Sequence, residues 1–149
     1  TQMLVSTDHN KNIVTASYML QECMELTRNL RDSLWKQNLD WDCAFGDDTY
    51  RIDGEQYGNF ELADSCLEKL DGDKVYLTTV PGEAQEDFQI HWGPWKPYFY
   101  RKLTFSDVES EEPDAAADSR KANCEVWWYE RGNREELKMS MQLTNWFKR

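Results

Sequence analysis

Two histidines, His9 and His91, are the whole imidazole inventory of this chain, and acid–base chemistry near neutral pH draws on imidazole more than on any other side chain. His9 precedes a helical pattern and His91 falls inside a strand-like run. Neither has around it the Ser, Cys or carboxylate arrangement of a nucleophilic motif. The acidic pairs Asp40/Asp42, Asp47/Asp48 and Asp71/Asp73 are of the type that binds calcium, but none has the spacing of a twelve-residue calcium loop, and acidic turns arise for local hydrogen-bonding reasons alone. No catalytic residue, metal ligand or cofactor-binding motif is therefore assigned.

Cysteine gives a firmer reading. Cys23, Cys43, Cys66 and Cys124 show no CxxC spacing and no nearby histidine in a ligand register, which argues against zinc. An even number of widely spaced cysteines suggests an oxidising compartment and two disulfides. Three connectivities are open. Cys43 with Cys66 and Cys23 with Cys124 is favoured, against the alternative of four buried free thiols. The remaining chemistry-bearing residues are aromatic: Trp92, Trp95, Tyr98 and Tyr100, with Trp127, Trp128 and Tyr129. Alternation along a strand puts Trp127 and Trp128 on opposite faces, so one of them is outside the core. Trp92, Trp95, Tyr98 and Trp127 are the candidate surface aromatics, suited to stacking on sugars or to a protein contact.

These residues need elements to hold them. From Asn10 to about Lys36, Ile13, Ala16, Leu20, Cys23, Met24, Thr27, Leu30 and Leu34 recur at three- and four-residue steps, predicting a long amphipathic helix. Glu22, Glu25, Arg28, Arg31 and Asp32 fall opposite and read as a solvated face, with Glu25 to Arg28 and Arg28 to Asp32 spaced to pair. Residues 37–149 then form a loop region and a sheet. Short strands are expected at Thr49–Asp53, Lys74–Val80, Asp87–Trp92 and Tyr98–Phe105, separated by Gly, Pro and Asp turns. The acidic stretch from Ser106 to Ser119 reads as a solvated loop. Beyond it, Cys124, Val126 and Trp128 alternate with polar or outward positions, Arg131-Gly132-Asn133 turns the chain, and Leu137, Met139, Met141 and Leu143 alternate with Lys138, Ser140, Gln142 and Thr144. That is an antiparallel hairpin with one buried face, and the helix stripe is what it has to bury. The expectation is a single α+β head domain over 1–149, a long N-terminal amphipathic helix packed on an antiparallel sheet, with Leu20 and Met141 facing each other's layer.

Composition narrows the partners. With 17 basic and 28 acidic residues the formal net charge is −11, which argues against nucleic acid, since phosphate binding needs clustered Lys and Arg. The same charge predicts that the chain, apart from any apolar anchor, stays soluble and monomeric. Aromatic residues make up 13% of the chain, too many for a disordered one. No run approaches the roughly 18 apolar residues of a membrane span, and only Met3, Leu4 and Val5 are fit to be the last turn of such a segment lying upstream.

The stretch Ala16 to Trp35, ASYMLQECMELTRNLRDSLW, resembles the helix that follows the membrane segment in type IV pilin-like proteins, particularly minor pilins or pseudopilins of candidate phyla radiation bacteria. The pattern is a Gln-Glu-Gly-x-Glu core, then Arg-Asn-x-Arg-Asp, then Trp, matched here by Gln21, Glu22, Glu25, Arg28, Asn29, Arg31, Asp32 and Trp35. Cys23 stands where the pattern has Gly and supports a disulfide particular to this chain. Trp41-Asp42, the Tyr98 to Phe105 strand and Leu143-Thr144-Asn145-Trp146 resemble that family's β region, while 58–93 does not. The resemblance implies a pilin-like fold without enzymatic activity, anchored in the membrane through an apolar helix upstream of Thr1 after a leader is trimmed. It also implies an extracellular, pilus-borne location, with other pilin subunits and host or neighbouring cell surfaces as partners, acting in assembly or priming, adhesion or twitching motility. Two rival readings are a secreted carbohydrate- or protein-binding module built on the exposed aromatics, and a small hydrolase using the acidic pairs.

Overall fold

A computed structural model describes residues 2–36, 45–47, 49–53, 76–79, 85–90, 99–109, 111 and 118–145. Within them one helix lies on an antiparallel sheet, so the α+β architecture is as expected. Helix α1 spans Gln2–Lys36, about 52 Å at 1.5 Å per residue. The strands are β1 (Thr49–Asp53), β2 (Tyr76–Thr79), β3 (Gln89–Ile90), β4 (Phe99–Asp107), β5 (Ser119–Glu130) and β6 (Asn133–Thr144). A 3-10 turn over Gln85–Phe88 leads into β3. The sheet order is β2-β1-β4-β5-β6, and β3 pairs with β4 alongside β1, which leaves β6 as an outer strand.

The stripe read from periodicity is the face that α1 buries. Ala16, Leu20, Cys23, Met24, Thr27, Leu30 and Leu34 are all buried, joined by Met19. They meet Tyr50, Ile52, Phe99, Leu103, Phe105, Ala122, Cys124, Val126, Trp128 and Leu143 from the sheet. Each large apolar side chain so enclosed contributes roughly 1.5–3 kcal/mol relative to exposure. Thr27, inside this stripe, turns its hydroxyl back onto the Cys23 carbonyl at 2.7 Å, so its polar atom is satisfied within the helix.

Several boundaries differ from the sequence reading. The helix begins at Gln2 rather than Asn10. Residues 2–9 lack an apolar period but also lack Gly and Pro, and extending an existing helix fixes one residue for each hydrogen bond gained. Strand β4 runs on to Asp107 and β5 starts at Ser119, so both ends of the expected acidic loop are sheet. Arg120 holds that end by pairing with Asp107 and, at 2.9 Å, with Asp47. The expected Asp87–Trp92 strand begins only at Gln89, because a 3-10 turn occupies Gln85–Phe88, and its last two residues lie outside the described residues. Phe88 consequently packs on the outer side of the sheet while Ile90 joins the main core.

The C-terminal hairpin follows the alternation closely. Strands β5 and β6 pair without a break from Ser119↔Thr144 to Glu130↔Asn133. Its two-residue turn has positive φ at both Arg131 (52°) and Gly132 (81°), the type I′ geometry whose twist matches the flanking strands. Glycine takes that conformation freely, whereas Arg131 occupies it at a cost of roughly 1–2 kcal/mol. The buried face of β6 is less complete than expected. Leu143 is fully enclosed, Leu137 and Met141 only partly, and Met139 is 39% exposed, because α1 does not cover the whole width of the outer strand. Met141 therefore sits at the margin of the helix–sheet interface and Leu20 at its centre.

Candidate functional site

Three polar ties position the helix on the sheet, and each uses a residue that sequence periodicity placed on a solvated or neutral position. Arg101 of β4 is 1% exposed. Its Nη1 donates to the Met19 carbonyl at 3.0 Å and to Glu22 at 2.6 Å, and its Nη2 donates to the Ile52 carbonyl. One guanidinium thus joins α1, β1 and β4. Glu22, expected in solvent, faces this cation instead. Arg28 does pair with Glu25, at 2.7 Å, while Asp32 takes its ion pair from Arg31 at 3.1 Å. Arg31 also lies 4.7 Å from the Trp35 ring centre, and Trp35 donates its indole N–H to Asn145, just past β6, at 3.2 Å.

The third tie is at the other end of the helix. Glu130, the last residue of β5, accepts from Asn12 at 2.9 Å and from the Trp128 indole at 2.7 Å, and lies 2.8 Å from Nδ1 of His9. His9 is thereby occupied in a helix-to-sheet contact. Burial alone would raise the Glu130 pKa, but the hydrogen bonds from Asn12, Trp128 and His9 and the histidine's charge outweigh it, holding the carboxyl at about 2 against an ordinary 4.5. A carboxyl depressed on folding stabilises the protein above its unfolded pKa and loses that contribution as pH falls through the folded value. We expect Glu130→Gln to lower the melting temperature by roughly 3–6 °C at pH 6, from about 1–2 kcal/mol of charge-assisted hydrogen bonding. Melting curves of parent and variant should converge between pH 4.5 and about 2; a gap that stays constant across this range would remove Glu130 as the source.

The Cys23–Cys124 disulfide is present and links the buried face of α1 to the inner face of β5, across 101 residues of sequence. Its partner pairing, Cys43 with Cys66, lies outside the described residues. So do Trp92, Trp95, Tyr98 and His91.

Of the expected surface aromatics, Trp127 is the one described. Its neighbour Trp128 packs in the main core against Phe99, with ring centres 5.7 Å apart, and Trp127 takes the opposite face as alternation requires. There, however, it is 4% exposed rather than open. Tyr100 stacks on it at 5.5 Å, Phe88 tilts against it at 5.7 Å, and the Arg134 guanidinium sits 4.7 Å from its ring centre. Arg134 is held there by Glu125 at 2.6 Å and Glu136 at 3.3 Å. The carboxyl of Glu136 is lowered first by its hydrogen bond from Lys138, burial opposing, and further by the charges of Lys138 and Arg134. Tyr129, 43% exposed, is the more open ring of this cluster and donates to Gln85 at 2.6 Å. The covering turn Gln85–Phe88 has no periodic signature, so alternation gave the side of Trp127 without its coverage.

Further along the same face, Ser106, Asn123 and Ser140 form a hydrogen-bonded row with spacings of 3.2 and 2.9 Å. An open depression of about 530 Å³ there is lined by Ser106, Asp107, Glu109, Lys121 and Gln142. Among the described residues, no three His, Cys, Asp or Glu side chains converge as a metal site, and no helix is long and apolar enough to cross a membrane. No family model, no curated protein and no solved structure matches the chain.

Proposed function

We propose that this chain is the head of a minor pilin or pseudopilin, a structural subunit of a type IV pilus or related secretion filament acting in assembly, priming, adhesion or twitching motility. The observation that carries the reading is where three of the four resembling segments lie. Glu22 of the helix motif meets Arg101 in the Tyr98–Phe105 segment, and Trp35 of the motif meets Asn145 in the Leu143–Trp146 segment. Residues that look like a family pattern on scattered stretches of sequence thus act together, as the clamps between helix and sheet. The Cys23–Cys124 bridge supports an oxidising compartment, in keeping with a cell-surface location. In this reading the partners are other pilin subunits, brought together by upstream apolar helices that bury surface on one another, and the membrane is engaged only through such a helix.

The test is the coding sequence upstream of Thr1 and the fate of its product. A short basic leader, a cleavage site and about 20 apolar residues running into Met3-Leu4-Val5 are expected, with the processed protein in the membrane fraction until assembly. A cleavable secretory signal followed by free release into the medium would overturn the proposal and favour a secreted binding module.

A further inference from the structure

Among the described residues, strand β6 is an edge of the sheet. It runs for 12 residues, keeps an unbroken one-to-one register with β5 and contains no proline. Native edges are usually shortened, bulged, interrupted by proline or studded with charge to prevent strand pairing, and of these devices β6 has only the charges of Arg134, Glu135, Glu136 and Lys138. The type I′ turn makes Glu130↔Asn133 a hydrogen-bonded pair, and such pairs alternate along an antiparallel ladder. The odd-numbered residues of β6 therefore spend their backbone groups on β5, while the N–H and C=O groups of Arg134, Glu136, Lys138, Ser140, Gln142 and Thr144 point away from it.

We propose that a second copy of this chain pairs with β6 along this edge, antiparallel and two-fold about Met139, joining the two sheets into one. This goes beyond the pilin reading and does not rest on it. The register follows from the edge itself. Residue 139 is the midpoint of 134–144, so a two-fold there engages all six outward-pointing residues, whereas shifting the axis to Lys138 sets that ammonium against its own copy. About Met139, Lys138 faces Ser140, Glu136 faces Gln142 and Arg134 faces Thr144 of the other copy, with no like charges opposed. On the helix side Met139 meets Met139 and Leu137 meets Met141, which covers the 39% of Met139 that α1 leaves exposed.

Charge distribution favours this edge, although the net charge of −11 argued for a monomer. Within β6, Arg134 and Lys138 balance Glu135 and Glu136, so the strand itself is neutral and the excess negative charge lies elsewhere in the chain. At physiological ionic strength, repulsion between charges farther apart than about 8 Å is largely screened.

Sedimentation of the parent chain in physiological salt, from micromolar to about 1 mM, covers the range expected for a small, weak interface. A doubling of mass is expected. Ser140→Pro removes an outward N–H that β5 does not use, a placement strands tolerate, and should leave circular dichroism and melting near the parent's while abolishing the dimer. A parent that stays monomeric to about 1 mM, or a folded Ser140→Pro chain that dimerises like the parent, overturns the proposal. If the variant does not fold, amide exchange in the parent decides. The N–H groups of Glu136, Lys138, Ser140 and Gln142 must slow as the dimer fills, and unchanged exchange alongside a doubled mass overturns it equally.

Discussion

Replacing both Cys23 and Cys124 by alanine is expected to lower stability by about 3–5 kcal/mol, a fall in melting temperature of roughly 10 °C. The bridge spans 101 residues, so in the unfolded chain it closes a loop whose lost entropy is near the top of the usual range. In the native state it joins two side chains that are already buried, at 0% and 1% exposure, on elements that pack regardless. Most of the effect therefore comes from the unfolded state, and the spectrum of the folded variant should match the parent's. Thermal melts of the two proteins check this, and a shift below about 2 °C would show that the bridge adds little. The paired substitution isolates this bridge, whereas a reductant would act on every cystine in the chain.

The second large effect is expected at Arg101. Its guanidinium is enclosed and balances Glu22 at 2.6 Å while satisfying carbonyls of Met19 and Ile52. Arg101→Ala removes the packing of a long side chain, exposes the two carbonyls to a cavity and strips Glu22 of its partner, together about 3–5 kcal/mol. Glu22→Ala keeps the cation buried without that carboxylate and should cost about 2–4 kcal/mol, less because Glu22 is itself 40% exposed. Arg101→Met fills much of the volume but leaves Glu22 and the same two carbonyls without a donor, and should cost less than Arg101→Ala through its packing alone. Urea unfolding of the set gives the order; a Glu22→Ala cost under about 0.5 kcal/mol would mean the pair behaves like an ordinary surface bridge.

The contrast between these two sites shows what the residues disclosed in sequence and what they did not. Cys23 sits on a clear helical stripe and Cys124 on the inward phase of a clear alternation, so both could be placed in the core before their pairing was known. Glu22 flanks the same stripe, and its role depends on an arginine 79 residues away whose own strand position reads simply as one more alternating residue. Helix periodicity reports which face is apolar, and says nothing of a carboxylate at the border of that face. The outer aromatics divide in the same manner. Alternation separated Trp127 from Trp128, while the cover over Trp127 depends on Phe88 and Arg134, which reach it from a 3-10 turn and a neighbouring strand. The interior of the helix was legible, but its start was not, because the contacts of His9 and Asn12 with Glu130 are held from across the fold.

The bridge between α1 and β5 also decides how the molecule bears a load. A pull applied between the first turn of α1 and the end of β6 enters through the helix, crosses at Cys23–Cys124 and leaves through the hairpin. The covalent link takes the tension out of the intervening 101-residue span, which would otherwise pay out to about 340 Å at full extension. Under force the chain can give up length only from the helix before Cys23 and the segment after Cys124, while β1 to β4 stay slack inside the loop.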